Sequence, residues 1–358
     1  MKPSTKPRLS ASRGWNVLLS LLALGCAPFI LSDAARACSF PGDAPPPLSP
    51  TLQTSITSNR DAKNPGTLVN SGALSEQQRT TYFIGPDCDG KQYRVRSPGK
   101  LVPGITFSYG GKSHPVYETG IPGIGYALMA AVQNGASPLS PWSPVTSDWT
   151  QIPVYPSSSD LYARVALVFS GALVSGSYSI PYTKIGDVYL DQGSGGRASA
   201  IYMNPLRINI TATSCSLTSA TQSSVALPEL FAPRLASVGD VSTESGTTSL
   251  MVNCKQSTGV YVTLTDVVTP TNTGNVLSLA PEATATGIGI QLFKEGSSTP
   301  LGFGPDSSLK GNTNQWLAGR VTGSGTLTIP IVAKYVKTAP KITPGQVNAR
   351  ASFTLSYQ

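Results

Sequence analysis

From Gly345 to Gln358 the apolar residues Val347, Ala349, Ala351, Phe353, Leu355 and Tyr357 alternate with Asn348, Arg350, Ser352, Thr354 and Ser356. Side chains of an extended chain point to opposite faces at every step, so this pattern predicts a β-strand with one buried face. Chain ends fray unless something holds them, and a terminus patterned for burial implies a sheet that holds it. Shorter segments of the same kind recur upstream between turn residues: Thr81–Ile84, Gln92–Val95, Ile105–Tyr109, Tyr126–Val132, Tyr162–Ser170, Gly176–Ile180, Asp187–Leu190 and Ala198–Met203. After Cys215 come Ser224–Leu227, Leu250–Asn253, Val260–Thr265, Gly287–Lys294 and Thr326–Lys334. Nothing of helical period and useful length lies between those of the first half. Many short strands divided by Pro, Gly and Ser clusters predict an all-β protein built as sandwich or barrel. Pro330 cannot donate to a ladder, which places it at a sheet edge or bulge.

The start of the chain carries a different signal. Lys2, Lys6, Arg8 and Arg13 precede an apolar run from Trp15 to Leu31, and Ala35-Arg36-Ala37 follows. That order predicts a secretory signal peptide over residues 1–37, cleaved after Ala37. Ala23, three residues before Cys26, stands where a lipoprotein signal prefers leucine. The remaining 321 residues suggest about two domains. They hold 21 basic against 17 acidic residues with no basic run, so nucleic acid is not an expected partner. Four cysteines remain, Cys38, Cys88, Cys215 and Cys254, and an even count in an exported chain argues for disulfides. Three connectivities are open; the sequential one, Cys38–Cys88 and Cys215–Cys254, puts one bridge in each half. No CxxC pair exists and His114 is the single histidine, so no metal site or cofactor is expected.

Gly345, fourteen residues from the end, the alternating positions after it and the penultimate Tyr357 resemble the C-terminal strand motif of fimbrial subunits assembled by the chaperone–usher pathway. The resemblance extends over nearly all of residues 215–358: Cys215, a Val-Ala-Leu-Pro segment, a strand ending in Cys254, Gly287-Ile288-Gly289-Ile290-Gln291-Leu292 before the turn Lys294-Glu295-Gly296, and Ala333-Lys334-Tyr335. It implies an immunoglobulin-like sandwich that lacks its last strand, completed by a chaperone strand and then by a strand from an adjacent fimbrial subunit. Gly345, Val347, Ala349, Ala351, Phe353, Leu355 and Tyr357 would border that groove.

In the first half, Thr119-Gly120-Ile121-Pro122-Gly123-Ile124-Gly125-Tyr126 and Ser170-Gly171-Ala172-Leu173-Val174-Ser175-Gly176 resemble two structural segments of fimbrial adhesins. Shaft subunits carry a donor extension before their first cysteine, whereas Cys38 leaves none and a whole domain precedes Cys215. The resemblance therefore implies a tip adhesin with a jelly-roll-like or immunoglobulin-like receptor-binding domain at residues 38–210 and a pilin domain at 211–358. It also implies export through the periplasm to the fimbrium tip, with a periplasmic chaperone, an outer-membrane usher, a strand-donating subunit and a receptor glycan or glycoprotein as partners.

A glycan needs carboxylate, amide and hydroxyl groups for its hydroxyls and aromatic faces for its C–H surfaces. Asp87 and Asp89 flank Cys88, Trp142, Asp148, Trp149 and Tyr155 lie in a Pro/Ser/Thr-rich stretch, and Asp160 follows. In mannose-binding type 1 tip adhesins the first cysteine stands further from the amino terminus, and of the residues around their pocket only Asp89 has a matching position here, which leaves the sugar open. Two other readings compete. A minor structural subunit or adaptor would have the same plan without a receptor. A secreted β-sandwich hydrolase would need His114, beside Pro115 in what reads as a surface loop, as its base, or two facing carboxylates among Asp87, Asp89, Asp148 and Asp160.

Overall fold

Valine, isoleucine, threonine and aromatic positions spaced by two become strands along the chain, and no α-helix forms among the described residues. The computed structural model describes residues 45–84, 92–153, 158–190, 197–218 and 224–358. The signal segment, Cys38, Asp87, Cys88, Asp89 and Tyr155 lie outside them.

The N-terminal half contains β1 (Ser55–Asn59), β2 (Gln78–Ile84), β3 (Gln92–Arg96), β4 (Leu101–Tyr109), β5 (Lys112–Ile121), β6 (Ile124–Gln133) and β7 (Ser143–Pro144). It continues with β8 (Thr150–Pro153), β9 (Ser158–Phe169), β10 (Gly176–Ile180), β11 (Thr183–Leu190), β12 (Arg197–Met203) and β13 (Leu206–Thr213). One layer is β2-β9-β6-β5-β4, with β7 beside β6; facing strands form β12-β11-β3-β8 and β1-β13-β10. Between them lies a core that includes Tyr93, Val95, Leu128, Val165, Leu167, Val188 and Ile201. β6 is buried on both faces, because Phe107, Val116, Ala127, Met129, Ala166 and Val168 form a second apolar layer on its outer side. Leu68, Leu74 and Trp142 cover that layer.

The C-terminal half contains β14 (Cys215–Leu217), β15 (Val241–Cys254), β16 (Thr258–Asp266), β17 (Ile288–Lys294), β18 (Trp316–Val321), β19 (Gly325–Lys337) and β20 (Ala351–Tyr357). Two antiparallel sheets, β14-β15-β19-β17 and β18-β16-β20, enclose a separate core around Val252, Val260, Val262, Phe303 and Ile329. A disulfide joins Cys215 to Cys254 across paired positions of β14 and β15. Pro330 pairs with Ser249 of β15 and precedes Ile331, where the described ladder with β17 begins, so it stands where one side of its strand is free of that ladder.

The two adhesin-like segments of the first half meet. Thr119–Ile124 is the β5–β6 hairpin, with Gly120 and Gly123 at φ +87° and +81°. A Cβ on Gly123 would stand 2.5 Å from the Ala172 carbonyl oxygen, and Ser170 N–H donates to Gly123 C=O at 2.9 Å. Glycine is therefore required there by both backbone conformation and contact.

Three expectations change. His114 is not on a surface loop: it is fully buried on β5, because β4 and β5 form a hairpin that brings it against Phe107 and Tyr109. The last strand begins at Ala351 rather than Gly345. The preceding residues are held instead by Thr284 and Ala285, whose N–H groups both donate to Gln346 C=O. Ser224–Leu227 joins no sheet among the described residues, although Val225 and Leu227 still pack on the core. The reason for that last difference lies in the site.

Candidate functional site

Among the described residues β20 pairs with β16 alone and is the edge of its sheet. Gly259 and Gln358 exchange both of their main-chain hydrogen bonds, at 2.7 and 2.9 Å. In an antiparallel ladder this pattern alternates, so Ser356, Thr354 and Ser352 bond β16 while Tyr357, Leu355, Phe353 and Ala351 turn their N–H and C=O groups to the open edge. The side chains of Tyr357, Leu355 and Phe353 pack on the C-terminal core, whereas Ala351 is exposed. Tyr357 is buried, but Phe353 and Leu355 are only half-buried although they pack on that core.

Across the gap, Val225, Leu227 and Leu230 are half-buried against the same core. The Tyr335 hydroxyl donates to Pro228 C=O at 3.2 Å, which ties this segment to the other sheet. At one end the gap deepens into a cavity of ≈ 470 Å³ lined by Leu227, Leu230, Ile288, Tyr335, Ile342 and Val347 among others. Gly345 forms part of its wall. A strand edge with unpaired main-chain groups above a floor of half-covered apolar side chains can accept one more strand, and among the described residues no strand pairs with β20 on that side or with residues 224–227.

A second feature lies on the outer face of β3 and β11. Trp149 is 41 % exposed, with the Arg96 guanidinium 4.6 Å above its ring and the Tyr189 ring centroid 6.2 Å away. Asp187 pairs with Arg96 at 3.1 Å and with Lys184 at 2.9 Å. Burial acts to raise the Asp187 carboxyl, and the hydrogen bonds and charges of Lys184 and Arg96 outweigh it, so its pKa is lowered. An aromatic face, a guanidinium and an ionised carboxylate therefore stand side by side.

A profile of the family described as "Fimbrial protein" matches residues 205–358. The F17d-G and F17a-G fimbrial adhesins of Escherichia coli are each 39 % identical over 226 residues, 61 % of this chain and 64 % of theirs. Over those stretches the chain is similar to fimbrial proteins and fimbrial adhesins. The matched stretch thus spans less than two thirds of those adhesins' own length. Among solved structures, the Proteus mirabilis ambient temperature fimbriae adhesin AtfE overlaps 46 % of this chain and 97 % of its own, at 21 % identity and TM-score 0.34. The CupB6 tip adhesin of Pseudomonas aeruginosa overlaps 90 % and 94 %, at 15 % identity and TM-score 0.32. Overlaps this loose carry no detail of a site.

The candidate receptor residues divide. Trp142 lies over the second apolar layer, under the Arg164 guanidinium at 5.7 Å, whereas Trp149 belongs to the opposite sheet. Asp148 is exposed one residue before Trp149, and its C=O accepts from Thr146 Oγ1 at 2.9 Å. Asp160, near the start of β9, ion-pairs with Arg79 at 3.6 Å. Arg96, Asp187 and Tyr189 escaped sequence reasoning, because they are brought to Trp149 by strand pairing: Asp187 lies opposite Arg96 in the β3–β11 register. Alternation in both strands marks them as outward-facing, but only the register shows that they meet. His114 Nε2 lies 3.1 Å from Tyr109 C=O, and its buried Nδ1 has no hydrogen-bond partner among the described residues.

Proposed function

We propose that the chain is a two-domain fimbrial tip adhesin. Its C-terminal pilin domain, residues 211–358, joins the fimbrium by accepting a β-strand from the adjacent subunit, after a periplasmic chaperone has filled the same groove and delivered it to the usher. The observation that carries this reading is the open edge of β20 above half-covered Phe353 and Leu355. Completing the sheet would supply main-chain hydrogen bonds along the edge, while apolar side chains of the incoming strand would fill the gap and its terminal cavity.

The N-terminal domain, residues 38–210, presents the receptor surface, and a glycan is the receptor class its chemistry supports. Trp149 offers a face for sugar C–H groups, and Arg96 and Asp187 offer a donor and an acceptor for hydroxyls. The role is recognition rather than catalysis.

The test is co-purification with the periplasmic chaperone encoded beside it, followed by glycan-array screening of the complex. A one-to-one complex with selective glycan binding is the expected result. A complex that binds no glycan would move the receptor search to proteins, or leave a minor subunit without receptor. A monomer that folds and persists without any chaperone would refute the incomplete sandwich.

A further inference from the structure

The N-terminal half reaches β20 through the turn after β1. Ala62 N–H donates back to Asn59 C=O at 3.3 Å, and the turn sets Arg60 and Asp61 against the end of β20. Asp61 is 4 % exposed. Its N–H donates to Tyr357 C=O at 3.0 Å, and its Oδ2 accepts from Tyr357 N–H at 2.9 Å. Oδ1 accepts from Ser308 Oγ at 3.3 Å. Arg60 pairs with the same carboxylate at 2.9 Å, donates through Nη2 to Leu355 C=O at 3.0 Å, and lays its guanidinium 4.9 Å from the Tyr357 ring centroid.

Tyr357 and Leu355 belong to the set whose main-chain groups face the open edge. Asp61 thus takes both hydrogen-bonding groups of Tyr357, as a strand residue would, and Arg60 takes the Leu355 carbonyl. An incoming strand could claim them only by displacing a carboxylate that is buried and paired, which leaves an uncompensated charge. We propose that Arg60 and Asp61 close this end of the acceptor edge, so that a donor strand pairs with β20 no further than Leu355 N–H. The N-terminal domain would then set the length and register of the strand that enters the C-terminal domain. The edge of β20 left for pairing runs from Ala351 to Leu355, about 13 Å at the usual rise of an extended chain.

This inference rests on the reading of the gap as a strand acceptor, and the test separates the two. Synthetic peptides copying the donor extension of the neighbouring fimbrial subunit are lengthened one residue at a time at the end beside Leu355. Their affinity for the full mature chain is then measured by displacement of the chaperone. In the native chain, residues past Leu355 should add less than about twofold. In Asp61→Ala, which frees Tyr357 N–H, two further residues should add about tenfold, roughly one good hydrogen bond. Asp61→Asn keeps an acceptor and should behave as the native chain does. Continued gain past Leu355 in the native chain would overturn the proposal, even if Asp61→Ala cannot be recovered, and so would a missing gain in Asp61→Ala. If no peptide binds, the acceptor reading fails, and amide hydrogen exchange then decides the contact itself. A Tyr357 amide slower than that of Phe353 in the unoccupied chain supports it, and equally fast exchange refutes it.

Discussion

Replacing Gly345 with alanine should destabilise the C-terminal half for a steric reason rather than a conformational one. A Cβ at this position would lie 2.6 Å from Ala285 N, Thr284 C and Thr284 Oγ1. Gly345 is not among the positive-φ glycines, so alanine meets no backbone penalty of its own. To restore an ordinary contact of 3.4 Å the segment must retreat by about 0.8 Å. Three hydrogen bonds stand in the way: Thr284 N–H and Ala285 N–H to Gln346 C=O at 3.0 and 3.1 Å, and Gln346 N–H to Thr284 Oγ1 at 2.8 Å. Losing two or three of them at about 1 kcal/mol each costs about 2–3 kcal/mol. At about 2–4 °C per kcal/mol for a domain near this size, the melting temperature should fall by about 5–10 °C. Circular dichroism of the strand-complemented chain measures it, with Gly171→Ala as control, since the Cβ there would find its nearest neighbour at 3.8 Å. A Gly345→Ala melt within about 1 °C of the native chain would refute the steric account.

Other expectations follow from the same geometry. Removing the Cys215–Cys254 bridge by serine substitution opens a loop with a sequence separation of 39 and should cost about 4 kcal/mol, read as a lower urea midpoint. Burial lowers the His114 pKa, an effect that the hydrogen bond with Tyr109 C=O opposes and the charge of Lys112 reinforces. The unfolded chain therefore binds the proton more readily, and stability is full above the ordinary histidine value of about 6.5 and declines as pH falls through it toward the lowered one. His114→Phe should flatten the melting temperature between about pH 7 and pH 5, and an unchanged slope would place that pH dependence on other groups. Trp149→Ala should weaken selective glycan binding by at least about tenfold while chaperone capture persists; an unaltered array profile would exclude this face as the receptor surface.

Much of the architecture was legible residue by residue. Strands at Gln92–Val95, Tyr126–Val132, Val260–Thr265 and Thr326–Lys334 stand where alternation or unbroken β-rich sequence placed them. The outer-face covering of β6 was not legible, because Ala127, Met129 and Val168 are covered by Leu68 and Leu74, which arrive through long-range contacts. His114 was misplaced for a related reason. Its Gly/Ser/Pro-rich neighbourhood resembles a loop locally, and burial comes from a hairpin partner that flanking composition does not encode. Trp149 stands out in the sequence as a candidate, but its neighbours Arg96, Asp187 and Tyr189 do not, since residues about 40 to 50 positions away on either side meet it only through strand register.

The sequence by itself determined the β class, the buried face of the last strand, and a C-terminal pattern resembling that of strand-accepting subunits. Those follow from side-chain period and local turn chemistry, which need no knowledge of distant partners. Only the tertiary structure decided that, among the described residues, β20 is an edge and Ser224–Leu227 joins no sheet. It alone decided that Asp61, 296 positions earlier, takes the main chain of Tyr357. Edges and end contacts are properties of which strands stand side by side, and main-chain hydrogen bonds between them carry no side-chain signature along the sequence.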